Sequence, residues 1–380
     1  MKSRRINQYI SLIVHSIIYW IKVKPRKHYD VVIVRSDAIG DFVIWMSALP
    51  SYRKKFQGKS ILLICPKPDR ELAEAFGIFD EILTFDRKDI EDDILYHIRI
   101  MYSLKKISSD ILINPTWQHQ MSADYICAMI QSKVKIGTLI QREGIRDKLC
   151  DNFFTELIEM PAFQNASEFE AIECFTRKVI DSDYKYTLSD VSKIVDDYIP
   201  SFHGEYCCIS LSSSTERKNW PIERVSETIS AIPNKFNIVL LGYGVEDKRK
   251  ASYIMEEDSN CHTIYDFVNK TSILEMFRII SKATFVMAND SVAVHMSAAC
   301  RVRSICYTHG AHYKRFVPYP DSIPEKIFHP RCVYKIMNCY GCNYHCIYDN
   351  NKEKPLFCLR EVKTEMVINE VNKLIKEISI

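Results

Sequence analysis

Three segments of this chain place polar residues where a strand-like run gives way to a helix-like one. In the first, Val31-Val32-Ile33-Val34-Arg35-Ser36 breaks into Asp37-Ala38-Ile39-Gly40-Asp41 before the helix-like Phe42-Val43-Ile44-Trp45-Met46-Ser47-Ala48-Leu49. Asp41 thus sits at a strand-to-helix handover, the edge at which open α/β sheets bind ligands. Asp is also a favoured helix cap, so capping competes with chemistry at this residue. In the second segment, Cys208-Ile209-Ser210-Leu211 runs into Ser212-Ser213-Ser214-Thr215-Glu216-Arg217-Lys218-Asn219-Trp220 and a helix opened by Pro221. Hydroxyls and free amides ahead of a helix start, with Lys218 among them, suit a diphosphate. An ordinary polar connection with Pro at the first helical position has the same pattern. The third repeats the grammar, with Phe285-Val286-Met287-Ala288-Asn289 strand-like, Asp290-Ser291 a cap pair, and Val292 to Ala299 helix-like with His295 one turn in.

A fourth group is Cys339-x2-Cys342-x3-Cys346-x11-Cys358. Such spacing can hold Zn or Fe as thiolates, with His345 and His309 as spare ligands. Two disulfides or four unligated thiols are the alternatives. The other ten of the 14 cysteines are scattered in apolar segments, as expected of small buried hydrophobes in a reducing cytoplasm.

The elements that must position these residues alternate throughout. Short buried strands are expected at 61–65, 81–85, 111–114, 206–211, 237–241, 263–265, 284–288 and 304–307, with helices between them. That alternation implies an α/β fold with parallel sheets. With 380 residues and 47% hydrophobic content, the chain can bury two ordinary cores. The polar stretch Ser189 to Gly204 reads as the boundary, giving domains at 29–190 and 204–360. Segment 361–380 reads as an amphipathic C-terminal helix.

Residues 1–28 form a basic amphipathic segment. Its apolar run, Tyr9 to Val23, is shorter than the about 20 residues a bilayer span needs, and no small-residue cleavage site follows. It reads as an anchor on anionic lipid, against the alternative of a helix packed on its own domain or in an oligomer. The net charge of +3 is too small to suggest a nucleic-acid partner. There is no G-x-G-x-x-G, which argues against a nicotinamide enzyme, and Gly58-Lys59-Ser60 precedes a strand rather than following one. Asp181-Ser182-Asp183 lacks the strand context of a metal-binding D-x-D and reads as a surface loop.

Taken together, the segments resemble glycosyltransferase family 9, the lipopolysaccharide heptosyltransferases. The R-x-x-x-x-G-D turn is met by Arg35 to Asp41, K-x-W-P by Lys218-Asn219-Trp220-Pro221, and L-G-x-G by Leu241-Gly242-Tyr243-Gly244. The N-D-[TS]-G-x-x-H element is met by Asn289 to His295, with Val292 where the family usually has Gly, and Ala298-Ala299 follow. The resemblance extends from about residue 30 to the C-terminus and is thin between 90 and 200.

The resemblance implies a GT-B architecture, two Rossmann-like parallel-sheet domains facing a central cleft. It implies an inverting enzyme with no cofactor required for catalysis, acting at the cytoplasmic face of the inner membrane. ADP-heptose would be the donor and a lipopolysaccharide core the acceptor. A protein heptosyltransferase and a non-catalytic nucleotide-sugar-binding scaffold are the alternatives. Asp41 would be the base. Lys218, Ser213, Ser214, Thr215, and the amides of Ser291 and Val292 would hold the diphosphate. Asp290 would shape that loop, His295 would reach a phosphate, and Glu246 would take a ribose hydroxyl. Lys314 and Arg315 would add positive charge. Similar cysteine clusters in iron-binding relatives make Cys339, Cys342, Cys346 and Cys358 candidates for a structural Zn or Fe site.

Overall fold

The computed structural model describes residues 13–118, 120–139, 150–162, 166–211, 213–258, 261–348, 351 and 354–378. The chain divides into two compact units, Met1–Tyr186 and Thr187–Ile380, just ahead of the polar stretch from Ser189.

The first unit is built on β1 (Lys27–Val34), β2 (Ile61–Pro66), β3 (Glu81–Phe85), β4 (Ile107–Ile113), β5 (Gln131–Leu139) and β6 (Glu156–Glu159). All pair in parallel, in the order β3-β2-β1-β4-β5-β6. Val31 to Val34 and Ile61 to Cys65 are wholly buried, as expected of central parallel strands covered on both faces. The strand order reverses between β1 and β4, so the chain leaving β1 emerges at a topological switch point.

β5 and β6 lie outside the sequence expectation for physical reasons. β5 interleaves Gln131, Ser132, Lys133 and Lys135 with its apolar residues. Lys133 pairs with Asp110 at 2.7 Å, and the Lys135 ammonium donates to the Cys127 carbonyl at 2.7 Å, at the end of helix Met121–Met129. β6 is a four-residue edge strand, too short to register as a pattern.

The N-terminal segment packs on its own unit. Residues 1–12 lie outside the described residues, and 13–20 are helical. His15 and Ile18 are buried, the His15 ring stacks on Tyr125 at 4.0 Å, and Ile18 joins the core with Met101 and Leu104. The Lys105 ammonium donates to the Ile18 and Tyr19 carbonyls at 2.8 and 2.7 Å, closing the helix end. Ile13, Ile17 and Trp20 face outward, with Trp20 80% exposed. Among the described residues, no helix is long and apolar enough to cross a membrane.

The second unit repeats the plan with β7 (Tyr206–Ser210), β8 (Asn237–Leu241), β9 (Ile264–Asp266), β10 (Phe285–Asn289), β11 (Arg303–Tyr307) and β12 (Arg331–Val333). These are again parallel, in the order β12-β11-β10-β7-β8-β9. Its switch point falls between β7 and β10. The three-residue edge strand β12 gives no sequence signal.

The closing helix, Thr364–Ile378, packs on this second sheet. Val367, Val371 and Leu374, spaced i, i+4, i+7, enter the same core as Trp220 and Tyr307. Arg331 on β12 pairs with Glu370 at 3.1 Å.

Candidate active site

In the first unit the carboxyl end of β1 passes directly into Arg35, which is wholly buried. Its guanidinium meets both oxygens of Asp37, Nε to Oδ1 at 2.8 Å and Nη2 to Oδ2 at 2.6 Å. It lies 5.0 Å from the Trp45 ring and 3.9 Å from Glu168 Oε1, and Nη2 donates to the Asp41 backbone oxygen at 3.4 Å. The turn is thereby folded around one cation, and helix Ile39–Trp45 starts from it.

Asp41 occupies the first turn of that helix and is partly exposed. Its Oδ2 accepts the Ala38 amide at 3.1 Å, so the capping role weighed for this residue is present. Oxygens of Asp37, Asp41 and Glu168 all lie within 4.8 Å of one another. Three carboxylates at that spacing could attract a cation, but Arg35 already takes both oxygens of Asp37, so the group is organised by a guanidinium. Asp69, just after β2, is buried with neither carboxyl oxygen hydrogen-bonded. Burial first, then the charge of Asp37, holds its carboxyl well above the usual carboxylate range. Asp69 is therefore pushed toward its neutral form, near enough to Asp37, Arg35 and Asp41 for their charges to act on it. Sequence reasoning missed Asp69 and Glu168; the only signal was Asp69's position just beyond a strand end.

In the second unit the loop after β7 and the turn after β10 meet through Asn289. Its Oδ1 accepts the Trp220 amide at 2.7 Å and its Nδ2 donates to the Leu211 carbonyl at 3.4 Å. Ser213 donates its amide and hydroxyl to Asn219 Oδ1 at 2.8 and 3.0 Å, while Ser214 and Thr215 are exposed. Lys218 ends the short 3-10 turn Glu216–Lys218 and lies 5.4 Å from the Tyr344 ring centre.

Asp290 is buried, its carboxyl pushed up to about 6 by desolvation and drawn back by Lys218. Its Oδ2 lies 3.5 Å from His309 Nε2. The His309 Nδ1 accepts the Ala311 amide at 3.2 Å, which assigns the ring proton to the nitrogen facing Asp290. Ser291 is the N-cap of helix Val292–Ala299, yet its hydroxyl makes no capping bond and is buried without a partner. Val292 does not adopt a left-handed backbone, so valine fits without strain where the family usually has Gly.

The remaining candidates are placed differently. The His295 ring is buried and neutral, with Nδ1 2.8 Å from the Tyr319 hydroxyl. Glu246 is exposed and pairs with Arg249 at 3.0 Å. Next to it in the first turn of helix Val245–Glu257, the buried Asp247 accepts the Tyr243 amide at 2.9 Å, and a Cβ on Gly242 would come within 2.6 Å of its carboxylate. Lys314 and Arg315 follow β11, and the Arg315 guanidinium lies 4.9 Å from the Phe316 ring.

Buried polar atoms without a hydrogen bond gather here. They are Arg217 Nε, Asn219 Nδ2, Ser291 Oγ, His309 Nε2 and Tyr344 OH. Orphaned donors of this kind are rare in finished interiors and mark sites completed by a ligand or water. Sequence reasoning reached Ser291 but not Arg217, His309 or Tyr344 as members.

Cys339, Cys342, Cys346 and Cys358 are all free thiols. Cys339 is raised by burial and then by Cys342 and Cys346, and Cys358 by burial with contributions from Cys339 and Cys342, so the four share one neighbourhood. The Gly310 amide lies 3.3 Å from Cys358 Sγ. Among the described residues only the Asp37 group has three ligand atoms within 4.8 Å, so no three of these sulfurs are at that spacing. The donor set suits Zn or Fe, and the loop must draw in to bind one.

Residues 155–324 match the model of glycosyltransferase family 9 (heptosyltransferase). The fold is similar to that of a family 9 glycosyl transferase from Veillonella parvula, with TM-score 0.69 at 14% identity, over 94% of this chain and 99% of that one. It is also similar to E. coli heptosyltransferase WaaC with ADP, with TM-score 0.64 at 16% identity, over 92% and 99%. The dodecameric iron-containing E. coli heptosyltransferase TibC gives TM-score 0.53 at 14% identity, over 94% and 80%. At these identities the likeness is one of fold, that of the GT-B heptosyltransferases. No curated protein matches the chain.

His295, His309 and His312 are held at about 3, 3 and 4 by burial, against 6.5 for a free histidine. The unfolded chain therefore binds more protons as the pH falls from 6.5, and the second unit loses stability there. Below pH 6, protonation of Asp290 offsets one histidine. The net effect is about 2 to 3 kcal/mol per pH unit between pH 6 and 5. Denaturant melts across this range should show that slope, and His295→Gln should reduce it by about 1.4 kcal/mol per pH unit. A pH-independent midpoint would show that these rings are not buried neutral.

Proposed function

We propose that this chain, whose residues 155–324 match the glycosyltransferase family 9 model, is an inverting heptosyltransferase of that family moving heptose from ADP-heptose to a lipopolysaccharide core acceptor. The observation that carries this reading is the set of unpaired donors gathered with Lys218 at the carboxyl ends of β7 and β10. Donors and a cation at a switch point suit a nucleoside diphosphate.

In the proposed reaction Asp41 takes the proton of the acceptor hydroxyl, whose oxygen attacks the anomeric carbon from the face opposite the departing ADP. Lys218, the hydroxyls of Ser213, Ser214, Thr215 and Ser291, and the amide of Val292 meet the charge growing on the diphosphate. Asp290 shapes that loop through His309, and His295 steadies its helix through Tyr319. Glu246, which meets Arg249 through one oxygen, would offer its remaining lone pairs to a ribose hydroxyl. A second reading, resting on the resemblance of the cysteine cluster to those of iron-binding relatives, is transfer to a protein acceptor.

Incubation with ADP-heptose and a truncated core lipid should give a heptosylated product by mass spectrometry. Asp41→Asn should lower kcat about 10²- to 10⁴-fold while leaving ADP affinity nearly unchanged. Undiminished turnover by the variant would return Asp41 to capping alone, and tighter binding of UDP than ADP would overturn the heptosyl assignment.

Cations at the diphosphate take the place of a catalytic metal in this reading, so chelators should leave the transfer rate intact. Cys339, Cys342, Cys346 and Cys358 would hold Zn or Fe as a brace for the loop. Stripping it should lower the melting temperature more than the rate. Absence of metal by elemental analysis of protein purified under reducing conditions would remove this brace.

The outward face of 13–20, with basic Lys22 and Lys24 following, would rest on anionic lipid at the cytoplasmic face of the inner membrane. Replacing Ile13, Ile17 and Trp20 together by Ser should abolish co-sedimentation with phosphatidylglycerol vesicles and spare activity on a soluble acceptor. Unchanged sedimentation would leave this helix a packing element only.

A further inference from the structure

The loop Cys339 to Cys346 presents one side chain that the proposed reaction does not yet use. Tyr344 lies with its ring 5.4 Å from the Lys218 ammonium, 4.7 Å edge-on from His312 and 5.8 Å from His309. Its hydroxyl is buried and has no hydrogen-bond partner. A phenol so placed leaves a donor unsatisfied, which a finished interior avoids.

The backbone holds it there under strain. Asn343 and Tyr344 both adopt left-handed conformations, φ 46 and 66, which side chains larger than glycine rarely take. The loop is stitched to the segment after β11 by three bonds. Gly341 N donates to the Gly310 carbonyl at 2.7 Å, Asn343 N to the Ala311 carbonyl at 3.0 Å, and Asn343 Oδ1 lies 2.9 Å from His312 Nε2. A Cβ on Gly310 would come within 2.5 Å of the Tyr340 ring, so only glycine allows this approach.

The charge around the phenol points to the ligand class. Lys218 faces the ring, and Arg217, Arg315 and Asp290 all act on its hydroxyl electrostatically. Three cations against one carboxylate, itself raised toward neutrality, favour an anion.

We infer that Tyr344 is a diphosphate-binding residue supplied by the cysteine loop, its ring seating Lys218 and its hydroxyl donating to a phosphate oxygen of the donor. This rests on the nucleoside-diphosphate reading of the same site. The cation–π contact orients the ammonium without neutralising it.

Calorimetry with ADP and with adenosine, on the full chain and on the variants Tyr344→Phe and Lys218→Ala, separates the possibilities. Tyr344→Phe removes only the hydroxyl. It should weaken ADP about tenfold, one charge-assisted bond, while leaving adenosine affinity unchanged. Its melting temperature should stay level or rise, because an unsatisfied buried group is gone. A merely structural tyrosine would lower melting temperature and affinity together, and that result overturns the inference. If Lys218→Ala weakens ADP but Tyr344→Phe does not, Tyr344 falls and the diphosphate site stands. If neither variant changes ADP affinity, or the wild type binds no ADP, both readings fall.

Discussion

The side-chain amide of Asn289 is the pin on which the second unit's site turns. It sits at the end of β10, where the strand order reverses, and bonds to the loop after β7 with both its oxygen and its nitrogen. No apolar residue could replace it, because the Trp220 amide and Leu211 carbonyl would be left buried and unpaired. Trp220, held by that bond, stacks on Tyr307 at 4.5 Å and donates its indole N–H to the Val362 carbonyl at 3.0 Å. The core under the closing helix and the loop carrying Ser213 and Lys218 are thus set by one carboxamide. Asp290 and Ser291 follow in the next two positions with no freedom to drift.

The first unit solves the same topological problem with charge. Arg35 replaces an amide pin by a buried guanidinium, and removing such a cation from water is costly unless its geometry is excellent. The two-point contact with Asp37, the face of Trp45 and the nearby Glu168 supply that geometry. In Asp41 the observed cap leaves room for the proposed chemistry. One of its oxygens closes the turn, and a carboxylate has lone pairs beyond those the Ala38 amide uses.

The polar content of both sites is set by desolvation. Asp69 and Asp290 are pushed toward their neutral forms, and His309 and His312 away from their charged forms, all with burial as the leading cause. Lys218 and the two arginines near Tyr344 therefore dominate the local field of the second unit. That balance is what favours an anion at its strand edge in the proposed reading.

Strand-to-helix handovers are local events, so Asp41, Lys218, Asp290 and Ser291 were legible from the amino-acid sequence, as were most strands of both sheets. Apolar runs such as Val31 to Val34 and Phe285 to Ala288 determine buried parallel strands by themselves, because such residues have nowhere else to go. β5, β6 and β12 escaped because an edge or half-polar strand makes its ladder without a hydrophobic signature. The landing of helix Thr364–Ile378 was not legible either: an amphipathic stripe states that a partner exists, not which sheet it is. Glu168 joins Arg35, and Tyr344 joins Lys218, across more than 120 residues of chain, and no spacing rule reaches that far. Tertiary structure alone decided which oxygen of Asp41 is capped, that the Ser291 hydroxyl does not cap, and which donors stay unpaired. Those outcomes depend on the summed burial around each atom, and burial belongs to the folded molecule rather than to any segment of it.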